Sequence, residues 1–186
     1  METTPFYILL FFHLSFLILG FGSVLVTDLF GLLWMRDHIR FKQIVHISGI
    51  TGYFVWAGWA GMLLTGIPLA ILKGDVDELM ILKFFFVLLI GLNGILLHGH
   101  QRRLKSFKTE DEVSNLFMFR LGFSLFVSQL AWWGAIVIGF LHRHIWTTIA
   151  WPPRPGPVVG LILIGLLSLW AAGELFFKFK SRRQPA

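Results

Sequence analysis

Seven histidines and no cysteine leave imidazole as the main soft ligand in this chain, with five methionines behind it. Disulfides, thiolate metal sites and iron–sulfur clusters are excluded by the same count. Two of the histidines stand out by position. His46 opens a long apolar stretch four residues after Lys42, and His98 closes the next one four residues before Arg102. If both stretches cross a bilayer as helices, each ring lies about 6 Å inside its flanking charge. The out-and-back path then sets the two rings level near one face. Two level imidazoles on adjacent helices are what a haem iron takes as axial ligands, and what a small metal site needs. Gly91 and Gly94 precede His98 at i−7 and i−4 and share its helical face, while Gly49 follows His46 at i+3. Such a bare face admits a flat macrocycle. The competing use of small residues on membrane helices is close helix packing.

A second pair is His13 with His142, which has Gly139 at i−3 and Ala135 at i−7. Their depths match when the fourth apolar stretch extends toward Trp146. Asp28 and Arg120 form the notable charged pair, both in the half of the bilayer that also holds His46, His98, Asn93 and Glu174. Ionisable groups at that depth are costly and are expected to be paired or protonated. Asp28 and Arg120 read either as an ion pair that sets helix register or as a proton relay, with Arg120 also suited to clamp a haem propionate. Glu174 has Lys178 at i+4 and reads as a structural helical pair. Trp132 and Trp133, with Gln129 one turn earlier, read as packed or lipid-facing before they read as a cofactor or quinone pocket. His-x-His occurs at 98–100 and at 142–144, but residues i and i+2 of a helix point about 200° apart, so one metal does not readily take both. No residue is assigned to catalysis.

The elements that position these groups follow from hydropathy. The chain has 186 residues and is 56% hydrophobic and 14% charged, against about 25% charged in soluble proteins. Mean hydropathy is +0.74. Runs long enough to cross a bilayer lie near 6–34, 44–72, 79–97, 116–141 and 158–177. The first, second and fourth exceed the thickness of a hydrocarbon core and are expected to tilt or protrude. The expected fold is all-α and membrane-spanning, with five helices over a single domain, 1–186. Four of them form a core and the fifth is peripheral.

Basic residues set the orientation. Arg36, Arg40, Lys42, Arg102, Arg103, Lys105, Lys108, Lys178, Lys180, Arg182 and Arg183 flank alternate loops on one side, eleven of the 16 in the chain. Lys73, Lys83, Arg143 and Arg154 fall to the other. The positive-inside rule puts the first side in the cytoplasm, with the N-terminus outside and the C-terminus inside. The net charge of +6 therefore reads as topology, and no nucleic-acid partner is implied. Glu2 and the absence of an early basic residue argue for a retained first span over a cleaved leader. The acidic stretch from Gly74 to Glu78 reads as an outer turn. The stretch from Trp151 to Pro157 reads as a stiff outer linker, because proline cannot continue a helix.

His13-Leu14, Gly20-Phe21-Gly22, Asn93-Gly94 followed by His98, and Ser128 through Gly134 carry a resemblance across the first four spans. On these residues the chain resembles a broad group of small bacterial inner-membrane proteins of unknown function. It is also similar to the membrane domain of copper-resistance D proteins, which carry histidines early in their spans. The resemblance implies a multi-pass protein of the bacterial inner (plasma) membrane and gives no activity.

Together these readings lead to an integral-membrane b-type haem protein in electron transfer, exchanging electrons with a quinone or a partner redox subunit. Haem b would sit between His46 and His98, with a second site between His13 and His142. The competing readings are a permease for a small molecule or metal ion lined by Asp28, His46 and His98, and an accessory membrane subunit without chemistry. Oligomeric state is left open.

Overall fold

The computed structural model describes residues 4–74, 77–109, 112–144 and 155–182; the side chains of 141–144 and 181–182 are not among those described. Five helices follow in order: α1 Thr4–Met35, α2 Phe41–Lys73, α3 Glu78–Leu104, α4 Asn115–His144 and α5 Pro155–Arg182. The described residues contain no strand. All five helices are long and apolar enough to cross a membrane, so the chain is an all-α, multi-pass membrane protein.

Several boundaries run past the apolar cores. α3 stays helical through His98, His100 and Arg103, because a helix needs only backbone bonds to continue into the polar boundary. The expected outer linker is shorter than the sequence suggested. Pro155, Gly156 and Pro157 open α5, since the first turn of a helix has no intrahelical use for the N–H that proline lacks. Residues 151–154 lie outside those described. α2 ends at Gly74, whose φ of 83° only glycine adopts cheaply and whose N–H reaches Ala70 O at 3.3 Å and Ile71 O at 3.2 Å. In the acidic turn, Asp75 also lies outside the described residues, while Asp77 Oδ1 accepts from the Met80 N–H at 2.9 Å and so caps α3.

Packing groups the chain into two compact units, Met1–Val76 with Gln101–Glu110, and Asp77–His100 with Asp111–Ala186. In the first, α1 and α2 lie antiparallel in a constant register: His13 meets Thr65, Phe16 meets Gly61, Gly20 meets Gly58, and Thr27 meets Thr51. Lipid tails are as apolar as leucine, so side-chain burial alone does not drive such a pair together. Close approach does. A Cβ at Gly58 would stand 2.5 Å from Gly20 N and 2.8 Å from Phe16 O, so the backbones touch where both residues are glycine. The hydroxyls of Thr27 and Thr51, 2.6 Å apart, tie the pair toward its charged loop. Outward-facing Ile18 and Leu64 are 73% and 75% exposed and present aliphatic surface suited to lipid.

The second unit packs α3 on α4. The Phe86 ring fills the space that Gly134 leaves on α4, with ring carbons 2.6–2.8 Å from where a Cβ would be. Trp132 is fully buried and Trp133 half exposed, which divides that pair into a packed ring and an outward one. Asn93 is buried, and its Nδ2 donates to Ser124 O across the interface at 2.8 Å. α5 rests on α4 mainly through its C-terminal half. There the Phe119 ring stacks on Phe177 at 5.2 Å and enters the notch at Gly173. The N-terminal half of α5 is largely exposed, with Leu161 at 71%, as a peripheral helix requires.

Candidate functional site

Among the described residues, His13 is a candidate ligand held by a hydrogen bond to a neighbouring helix. It lies on α1, half-buried, with Nδ1 3.0 Å from the Thr65 hydroxyl on α2. Thr65 is itself buried, and it donates to Gly61 O at 2.7 Å. A hydroxyl has one proton. With that proton on Gly61 O, the oxygen can only accept from the imidazole. The network therefore places a proton on His13 Nδ1, the nitrogen that faces Thr65. Gly66 makes room for this placement, since its Cβ would lie 3.1 Å from His13 Cε1. On α2, Gly61 one turn before Thr65 and Gly66 next to it thus hold the ring in position. The sequence showed His13 as a ligand candidate but held no sign of Thr65, 52 residues away.

His46 and His98 are placed differently. Both rings are exposed, and neither is hydrogen-bonded to another described residue. His46 lies on the rim of an open groove of about 360 Å³ formed by Phe30, Ile39, Lys42, Gln43, His46 and Ile47. Gly49, the small residue that was to make room beside His46, is covered: the Gln101 amide nitrogen stands 3.0 Å from where its Cβ would be. On that flank the space expected for a macrocycle is filled by the end of α3. His98 belongs to the second unit. Of its two glycines, Gly91 is buried and Gly94 half-buried. His100 turns the other way, edge-on to Phe117 at 5.5 Å, as the angular offset from residue 98 requires. The His142 side chain lies outside the described residues. His38 Nδ1 donates to Arg36 O at 2.7 Å within its loop.

The charged pair requires a correction. The carboxylate that meets Arg120 is Glu174. Arg120 Nε and Nη2 donate to Glu174 Oε1 and Oε2 at 2.5 and 3.0 Å, a two-pronged contact between α4 and α5. Lys178 Nζ adds a second cation 3.2 Å from Oε2, the i,i+4 pair expected from the sequence. The Glu174 side chain is 6% exposed and that of Arg120 37%, so a buried anion is held by two cations that reach outward. Asp28, the partner first assigned to Arg120, lies in the first unit. With its fork turned to Glu174, Arg120 reads as the anchor of α5 and not as a propionate clamp.

Among the described residues no three His, Asp or Glu side chains cluster as a metal site. A two-histidine iron site would need only two. The sequence matches no family model, and neither curated proteins nor solved structures give a significant match.

Proposed function

We propose that the protein is an integral-membrane b-type haem protein that moves electrons within the bilayer, and that His13 would hold the haem. The observation that carries this reading is the orientation of the His13 ring. A metal-ligating histidine almost always donates its other ring N–H to a fixed acceptor, which sets the tautomer and aims the lone pair. Thr65, held in turn by Gly61 O, supplies that acceptor for Nδ1. Haem b supplies one-electron chemistry when bound. The residues of this chain hold the ring against α2, between two apolar helices. The tight contact at Gly20 and Gly58 leaves no room for a macrocycle between α1 and α2 at that level. His46 and His98 rank behind His13, because both are exposed and Gln101 fills the flank beside His46.

The proposed setting is the bacterial inner membrane, with the N-terminus outside, the C-terminus in the cytoplasm and a quinone or redox subunit as electron partner. The eleven clustered basic residues support that orientation.

The test is a reduced-minus-oxidised spectrum of protein purified in mild detergent from cells supplied with iron and a haem precursor. Wild-type protein should show b-type bands, and His13→Ala should lose them. His46→Ala and His98→Ala should keep them. Thr65→Val should still fold and should bind haem about 10- to 100-fold more weakly, the usual loss when such an outer partner is removed. Wild-type protein free of haem under these conditions, or unchanged haem content in His13→Ala, overturns the reading.

A further inference from the structure

The groove at the charged end of the first unit has a floor and a rim of different chemistry. Phe30 of α1 with Ile39 and Ile47 beside and on α2 form a half-buried apolar floor. Lys42, Gln43 and His46 stand exposed along the rim. Lys42 and His46 are four residues apart, so they project from one side of α2 a single turn apart. The Gln43 side chain is turned by its carbonyl: Oε1 accepts from the Arg40 N–H at 2.8 Å, which leaves its amide N–H groups as donors. The rim therefore offers an ammonium, an imidazole and an amide, all able to donate. Arg36 and Arg40 add positive charge in the adjoining loop, where Asp37 is the acidic residue. The place in the membrane is equally informative. These residues lie where the apolar runs of α1 and α2 give way to the Arg36–Lys42 loop, the level at which a bilayer changes from acyl chains to head groups.

We infer that this groove binds the head group of an anionic phospholipid, with the phosphate on Lys42 and His46 and the upper acyl chain against Phe30, Ile39 and Ile47. The donors match the ester oxygens and the negative charge of a phosphodiester, and basic pockets at a membrane face are a recurrent site for such lipids. Free phosphate fits only half of this surface, because an apolar floor gives an inorganic anion nothing to contact. A zwitterionic lipid fits the floor but brings a cation to a rim that already carries Lys42. Hence the site selects negative charge and an acyl chain together. It is independent of haem and of the orientation of the termini.

Native mass spectrometry of the full-length protein, released from detergent with phosphatidylglycerol or phosphatidylcholine, tests the assignment. Wild-type protein should retain phosphatidylglycerol in preference to phosphatidylcholine. Lys42→Gln combined with His46→Ala should bind phosphatidylglycerol about 10-fold more weakly and leave phosphatidylcholine binding unchanged. Lys42→Arg alone should preserve the preference, and so should Lys73→Gln at the far end of α2. Both rim side chains are exposed, and an unchanged far-ultraviolet dichroism spectrum checks that the double variant is folded. Equal retention of phosphatidylglycerol by wild type and the folded double variant overturns the proposal. So does displacement of the lipid by millimolar inorganic phosphate, which would make the site one for a free anion. Displacement by a short-chain quinone, with quinone binding indifferent to Lys42→Gln, would assign the groove to a neutral ring and also overturn it.

Discussion

Replacing Gly58 with alanine tests how α1 and α2 are held together. A Cβ there would stand 2.5 Å from Gly20 N and 2.8 Å from Phe16 O, and both neighbours are backbone atoms that cannot swing aside. Ordinary contact begins near 3.4 Å, so the helices must part by roughly 1 Å. The His13–Thr65 bond at 3.0 Å lies two turns to one side of this point, and the Thr27–Thr51 bond at 2.6 Å two turns to the other. A uniform parting takes both beyond bonding distance. A pivot spares one and breaks the other. Overpacking costs about 1–3 kcal/mol, and each lost interhelical bond adds roughly 0.6 kcal/mol. The better helix propensity of alanine returns about 1 kcal/mol. The expected net loss is therefore about 1–3 kcal/mol. Gly52 lies on the same helix and has nothing within 4 Å of its Cβ position, so Gly52→Ala should be neutral or stabilising by up to about 1 kcal/mol. Titration with a denaturing detergent, followed by the fluorescence of Trp56 and Trp59 on α2, compares the two variants. Equal midpoints for Gly58→Ala and Gly52→Ala would refute the close-contact account.

Three further outcomes follow from the same geometry. Arg120→Gln should cost about 3 kcal/mol by stripping one cation from a buried carboxylate. Glu174→Gln should cost less, because the arginine side chain is 37% exposed and can turn outward; losses that add to within about 0.5 kcal/mol in the double variant would show that the pair is not coupled. A cysteine at Asp75, in a chain without native cysteine, should react with an impermeant thiol reagent in intact cells, whereas one at Ser106 should be protected; the reverse pattern inverts the topology. Ala at Gly173 should loosen α5, because its Cβ position is occupied by the Phe119 ring. Proteolysis of α5 at the wild-type rate in that variant would show that the ring shifts freely.

How legible the chain was depended on the kind of information each feature needed. Span number is a property of hydropathy along one dimension, and all five spans are present as helices within a few residues at most ends. The overruns occur where polar residues continue a helix past the bilayer, as at His98 to Arg103 on α3, because hydropathy registers the solvent and not the backbone. The start of α5 differs from expectation for a related reason: proline breaks a helix in its interior, while position in the first turn makes Pro155 and Pro157 helix starters. The fixed orientation of His13 depended on Thr65, and no local pattern joins a residue to one 52 positions away.

Arg120 shows where depth reasoning stops. Hydropathy and the positive-inside rule place Arg120, Asp28 and Glu174 in the same half of the bilayer, and the cost of a charge there says only that Arg120 needs an anion. Depth is one coordinate, and choosing between two carboxylates at similar depth requires to know which helices are neighbours. The i,i+4 spacing of Glu174 and Lys178 already supplies Glu174 with one cation, so the sequence gives no sign that it needs a second. A carboxylate, however, accepts at two oxygens, and the structure uses both: Oε1 meets Arg120 alone, while Oε2 is shared between Arg120 and Lys178. The clue was the notch at Gly173 beside Glu174. A bare position next to a buried charge marks the face of α5 that lies against another helix, and Phe119, next to Arg120, is the ring that fills it. Small residue and adjacent ionisable group together identify an interhelical face, which neither does alone.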